Sequence, residues 1–125
     1  MANANPILDP GQAFTGIATG AAVVGCRVLK VAAAKTDGNP VPVAHCGASD
    51  VPAAFSGADA AQDAPVTCYP AQVLKVEAGG TVTAGSAVEV MAAGKVQNLA
   101  SGTKVGIAWE SASNGGFPLI QPTIH

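Results

Sequence analysis

Residues 76–90 read Val-Glu-Ala-Gly-Gly-Thr-Val-Thr-Ala-Gly-Ser-Ala-Val-Glu-Val. Short β-branched runs alternate here with glycine-containing breaks, which is the pattern of brief strands joined by tight turns. A second run of the same kind, Gly-Thr-Lys-Val-Gly-Ile-Ala-Trp-Glu-Ser, covers residues 102–111. The C-terminal part of the chain is therefore predicted to be a β module.

Strand signals of the same kind extend back along the chain. The predicted strands are residues 23–31, 41–45, 51–55, 66–69, 72–77, 87–91, 95–98, 105–111 and 117–121. In residues 72–77 the alternation predicts that Leu74 and Val76 face one side and Lys75 the other. So many short strands in 125 residues predict an all-β fold, either a small β-barrel or a β-sandwich. We expect an extended N-terminal arm at residues 1–16 and a single β domain at residues 17–125.

Composition narrows the functional classes. Hydrophobic residues make up 49% of the chain and charged residues only 11%, against roughly 25% charged in typical soluble domains. A surface with so little charge favours assembly with a partner. The net charge is −2 and the six basic residues are scattered, so we expect no nucleic-acid binding.

Two further patterns bear on membrane association and on the place of synthesis. No window contains the roughly 18 consecutive apolar residues of a membrane span, so we expect no membrane partner. The N-terminal residues Met-Ala-Asn-Ala-Asn-Pro lack the basic and apolar regions of a secretory signal. We therefore expect synthesis in the cytoplasm.

Reactive side chains are few. The three cysteines, Cys26, Cys46 and Cys68, form no Cys-x-x-Cys spacing, and we interpret them as buried free thiols. His45 is adjacent to Cys46, but neighbouring strand residues point to opposite faces, which is a poor geometry for a nucleophile and its base. The Cys and His residues also lack the spacing of a zinc site. We expect no catalytic residues, no metal, no cofactor and no enzymatic activity.

Several segments together carry a resemblance to a known family. In chain order they are Asn-Pro at 5–6, Pro-Gly-Gln at 10–12, Pro-Val-Ala-His at 42–45, the run at 76–90, Gly-Lys-Val at 94–96, Leu-Ala-Ser-Gly at 99–102 and Val-Gly-Ile-Ala at 105–108. In order and spacing the chain resembles the small capsid decoration (cement) proteins of tailed bacteriophages.

That resemblance implies a function by binding. It implies a β-rich virion protein on the exterior of the mature phage head. Its expected partner is the major capsid protein, and its expected state is a homotrimer at or near three-fold positions. Bridging neighbouring capsid subunits would then stabilise the shell.

Candidate capsid or inter-subunit contacts are apolar or small polar residues in three places. They are Asn3, Pro6, Ile7, Leu8, Phe14, Trp109 and Phe117. Phe14 is either an anchor in the arm or part of the core, and Trp109 packs in the core, between subunits or on the capsid. Phe117 and Pro118 are predicted to lead into an edge strand, because proline donates no ladder hydrogen bond.

Two alternatives come from other classes of protein. Residues 76–91 also resemble the strand and turn pattern of biotinyl and lipoyl carrier domains, but Met91 is followed by Ala92 where a carrier has lysine. A host-surface or glycan-binding β module is the second alternative. Such modules usually present exposed aromatic platforms, and here Trp109 is the only tryptophan.

Overall fold

Short β-branched runs become ten strands in the computed structural model, which describes residues 13–123. The first five are β1 (Phe14–Ala18), β2 (Val28–Val31), β3 (Val41–His45), β4 (Ala54–Ser56) and β5 (Pro65–Tyr69). They form a closed barrel in the order β1-β3-β2-β4-β5, with β5 pairing back onto β1. The β1–β3 pair is parallel and the others are antiparallel. Small and aliphatic side chains fill the barrel, among them Ala18, Leu29, Val43 and Val66.

The second half of the chain forms an open sheet. Its strands are β6 (Leu74–Lys75), β7 (Ala87–Val90), β8 (Val96–Asn98), β9 (Lys104–Ala108) and β10 (Leu119–Pro122). They lie in the order β6-β10-β9-β7-β8, and every pair is antiparallel. A single 3-10 turn, Ala92–Gly94, connects β7 to β8. Within residues 13–123 no helix has the length and apolarity to cross a membrane.

One buried hydrophobic cluster spans the junction of barrel and sheet, and a second lies within the barrel half. Val28, Cys46 and Phe55 of the barrel half lie in the same buried cluster as Val88 and Ile120 of the sheet. Because the barrel covers this face, the sheet has one inner face and one face turned away from the barrel. The two halves of the described chain are therefore joined through a buried cluster to which both contribute.

An ion network reinforces that junction. The Arg27 guanidinium lies 3.0 Å from Glu77 and the Lys95 ammonium 3.1 Å from it. Burial would raise the pKa of Glu77, but the hydrogen bonds and charges of Lys95 and Arg27 outweigh it and hold the pKa below its ordinary value. Arg27 also donates to the Ala93 carbonyl at 3.0 Å, and the Glu77 N–H donates to the Cys26 carbonyl at 2.8 Å.

The all-β prediction is confirmed, and the structure combines a closed barrel with an open sheet. The predicted sides of Leu74, Lys75 and Val76 are also confirmed, since Val76 is buried, Leu74 packs on the core and Lys75 is exposed. The prediction missed β1, which begins at Phe14, inside the range 1–16 assigned to the arm. Residues 1–12 of that range lie outside the described residues.

The edge-strand prediction is wrong. Strand β10 lies between β6 and β9. Pro118 precedes the strand and takes part in pairing as an acceptor, because its carbonyl receives the Val76 N–H at 3.1 Å. The missing N–H of a proline therefore does not expose the strand that follows it.

Candidate functional site

Strand register decides which side chains of the sheet face solvent. On β9 and β10, Ala108 pairs with Ile120, and both are buried against the barrel. Successive residues of a strand point to opposite faces, so Ile107 on β9, with Leu119 and Gln121 on β10, points away from the barrel. Trp109 directly follows β9 and continues the pairing, since its backbone N–H donates to the Leu119 carbonyl. Phe117 lies two residues before Leu119, at a position that the same alternation places on this face, and its side chain is exposed.

This outward surface is unusually apolar for solvent-facing protein. Trp109 is 55% exposed, Phe117 47% and Leu99 40%. Ile107 and Leu119 lie between them in partial burial, and the Leu99 N–H donates to Ala87, the residue opposite Ile107. We define these five apolar residues, Leu99, Ile107, Trp109, Phe117 and Leu119, as the outer sheet face. Large exposed side chains grouped in this way mark interaction sites more often than singly scattered ones.

Polar groups flank the outer sheet face beside Trp109 and Leu119. The Trp109 indole N–H donates to Gln121 Oε1 at 3.2 Å, and its backbone N–H donates to the Leu119 carbonyl at 2.8 Å. Glu110 accepts the Leu119 N–H at 3.0 Å and lies 3.9 Å from the Lys75 ammonium. An apolar centre with a polar rim is the usual anatomy of a protein–protein interface.

A second surface lies on the barrel. A groove of about 530 Å³ runs between the start of β1 and the loop before β3. We define the barrel groove by six of its lining residues, Phe14, Val31, Lys35, Pro40, Val41 and Ala53. Val31 is 53% exposed in it, whereas Phe14 packs partly against the barrel core. Lys35 supplies the groove's only formal charge among the described residues.

The predicted contact residues thus fall in different places. Trp109 and Phe117 come together on the outer sheet face, and Trp109 does not lie in the core. Phe14 is on the barrel, where it both supports the core and lines the groove. Asn3, Pro6, Ile7 and Leu8 lie outside the described residues.

Sequence reasoning missed Leu99, Ile107, Leu119 and Val31. The first three join the candidate surface only through strand register. One local signal pointed to Leu119, since Phe117, Leu119 and Gln121 alternate with Pro118 and Ile120, which are buried. Alternation alone, however, does not state which of its two faces is covered.

The cysteines have the environment of structural thiols. Cys46 and Cys68 are buried, as predicted, and burial raises the pKa of each to about 11. Cys26 is only partly buried. A thiol with so high a pKa carries almost no thiolate at neutral pH. Across residues 13–123 no group of three or more His, Cys, Asp or Glu side chains is arranged to hold a metal ion.

The turn at residues 92–94 bears on the carrier-domain alternative. Gly94 is buried, and its N–H donates to the Cys46 carbonyl at 2.8 Å. The turn therefore packs against the barrel instead of projecting as a free hairpin, a geometry that does not favour a carrier.

His45 is expected to make stability depend on pH. Its Nε2 accepts the Val24 N–H at 3.0 Å, which requires an unprotonated nitrogen. Burial and then the Arg27 charge lower the pKa of His45 below its ordinary 6.5. The unfolded chain therefore binds a proton at His45 more readily than the folded chain does. The stabilisation that neutral His45 contributes is complete above about pH 6.5 and is lost as the pH falls through the lowered pKa of His45 in the folded state.

We expect the free energy of unfolding to decrease as the pH is lowered from about 7.5 to about 5. In a His45→Gln variant we expect the free energy of unfolding to depend less on pH over this range. Chemical denaturation at a series of pH values measures both. Asp50, whose pKa is lowered by hydrogen bonds from Lys30 and the Gly47 N–H, titrates in a separate, more acidic window. Identical slopes in the two proteins over this range would contradict the role given to His45.

No protein-family model matches the chain, and no curated protein matches it. One solved structure, the head fiber gp8.5 N base of bacteriophage phi29, superposes with a TM-score of 0.73 at 21% identity, covering 90% of this chain and 93% of that one. The fold is similar to that of a phage head-fibre base.

At this level of identity the likeness shows the fold alone. It extends over nearly the whole of both chains, so it includes the barrel as well as the sheet.

Proposed function

We propose that this chain is a structural protein of a phage virion that binds the outer surface of the mature head and stabilises the shell. In this proposal it is made in the host cytoplasm and bridges neighbouring subunits of the major capsid protein as a homotrimer. The observation that carries the proposal is the outer sheet face, where Trp109 and Phe117 stand exposed within a polar rim. The fold likeness to a head-fibre base supports the phage assignment.

Such a role needs contacts and no chemistry. A protein that binds the closed shell but not separated subunits adds its binding free energy to the cost of opening the shell. A trimer brings three outer sheet faces to one site, and simultaneous engagement multiplies weak contacts through effective concentration. Closed three-fold symmetry gives each copy an equivalent position on the lattice.

The test is quantitative mass spectrometry of density-purified particles from the source, with this chain measured against the major capsid protein. We expect a fixed ratio between the two, with many copies per particle. Light scattering of the purified chain, alone and rebound to heads that lack it, is expected to give a mass near three chains in at least one state. Absence of the chain from intact particles would reject the proposal, and a monomer in both states would reject the trimer.

A glycan-binding module is the second candidate, because Trp109 has the exposure that a sugar platform requires. Its indole is held by Gln121, and polar groups of Glu110 and Lys75 lie close by. Stacking of a sugar ring on the indole with hydrogen bonds to these groups is the chemistry expected there. Binding of the purified chain to host-surface glycans, without binding to heads, would favour this candidate over the first.

A further inference from the structure

The barrel groove is an exposed apolar surface without a partner among residues 13–123. Val31 is 53% exposed in it, next to Val41 and Pro40. Its volume of about 530 Å³ lies within the range of sites that enclose apolar groups. Covering such a groove with a partner contributes a stabilising free energy of about 25 cal/mol for each Å² of apolar surface removed from water.

The groove borders a gap in the barrel. Strand β3 pairs with β1 only from Gly16 onwards, at Val41. Phe14 and Thr15 pair with β5 on the other side, and no strand described between residues 13 and 123 lies next to them on the β3 side. A segment of chain can therefore lie beside Phe14 and over the groove without displacing any strand.

The residues that precede Phe14 have the composition to fill this place. Residues 9–12 read Asp-Pro-Gly-Gln, with proline and glycine at the central positions of a type II turn. A type II turn reverses the chain and splays its two arms instead of pairing them tightly. A turn of this type at residues 9–12 would direct the preceding residues, Ile7 and Leu8, back towards the surface beside Phe14.

Charge agrees with this placement. Asp9 is the only acidic residue in residues 1–12. Lys35 of the groove forms no ion pair within residues 13–123 and only donates to the Thr36 carbonyl at 3.5 Å. The segment that carries the two apolar residues thus also carries a charge opposite to that of Lys35, which has no ion pair within residues 13–123.

We propose that, in the free protein, Ile7 and Leu8 dock in the barrel groove of their own chain. Leu8 lies six positions before Phe14 in the chain, a distance of at most about 20 Å, so the segment is tethered at the rim of its own groove. This tether gives the groove a high effective concentration of Ile7 and Leu8, which a second copy in dilute solution cannot match. The docked residues are not available as capsid anchors, and capsid contact then rests with the outer sheet face.

The test is a double-mutant cycle on thermal unfolding of the full chain. Val31→Ser is expected to lower the unfolding midpoint on the order of 5 °C in the natural sequence, and much less when Ile7→Ser and Leu8→Ser are already present. Val24→Ser is the matched control, since Val24 is a valine of the barrel half that is 40% exposed and does not line the groove. It is expected to have the same small effect in both backgrounds.

Methyl-labelled protein identifies the occupant. We expect nuclear Overhauser contacts from the Ile7 and Leu8 methyls to those of Val31 and Val41, at intensities that do not change on dilution. Equal effects of Val31→Ser in both backgrounds would overturn the proposal. Contacts found only between differently labelled chains in a mixed sample would also overturn it, because the occupant would then be a second copy. The measurements use free protein without phage heads, so their outcome is independent of the proposed function.

Discussion

A chain carrying Trp109→Ser and Phe117→Ser is expected to bind phage heads at least about a hundredfold more weakly than the natural chain. Exposed tryptophans at the centre of an interface are the commonest hot spots, and each truncation there typically costs 2 kcal/mol or more, with about 1.4 kcal/mol for each tenfold loss. Both side chains stand on the outer sheet face, 55% and 47% exposed. Cosedimentation with heads that lack the chain measures the affinity.

The fold of this variant is expected to survive. Neither side chain belongs to the buried clusters, and substitutions at exposed positions usually change stability by under about 0.5 kcal/mol. Val51→Ser is the control, because Val51 is 80% exposed on the barrel half, away from the outer sheet face. We expect Val51→Ser to bind normally. Undiminished binding of the double variant, with its circular dichroism unchanged, would remove the outer sheet face from the proposed function.

Replacing Gly94 with alanine is expected to lower the free energy of unfolding by roughly 2–5 kcal/mol, a large share of the 5–15 kcal/mol typical of a domain. Gly94 has φ of +74°, a left-handed conformation that costs an alanine about 1–2 kcal/mol. An added Cβ would also meet the Val28 carbonyl oxygen of β2, and overpacking of this kind costs about 1–3 kcal/mol more. Urea denaturation measures the loss.

Gly85 offers a control that separates these two costs. Its φ is +84°, but an added Cβ has nothing within 4 Å. Gly85→Ala therefore carries only the conformational cost, about 1–2 kcal/mol. The difference between the variants reports the contact of the 92–94 turn with the barrel. Equal decreases in the free energy of unfolding in the two variants would show that this contact rearranges at no cost in free energy and does not hold the two halves together.

The strands of the second half were predictable because their patterns are local. The alternation at residues 74–76 needs no partner to be recognised, and the glycines between residues 79 and 94 separate the short runs. Strand β1 escaped prediction for the opposite reason. Its sequence, Phe-Thr-Gly-Ile-Ala, contains strand formers but is interrupted by a glycine, and it is held as a strand by β3 on one side and β5 on the other.

The candidate surface was predictable only in part. Trp109 and Phe117 were identified from the sequence as large apolar residues. Around Trp109, however, the residues that alternate onto the two faces of the strand are apolar on both. Hydrophobicity alone would bury Ile107 and Trp109 and expose the smaller Gly106 and Ala108. The structure does the reverse, since Gly106 and Ala108 face the buried side with Ile120, where the strands approach closely.

The sequence by itself determined that the chain is all β and poor in reactive side chains, because turn residues, β-branched runs and composition are local properties. Only the tertiary structure decided that Trp109, Phe117 and Leu119 form one exposed surface. Alternation defines two faces of a strand, and which face is buried depends on where the barrel packs. That placement rests on Val28, Cys46 and Phe55, residues distant in sequence from the sheet they cover.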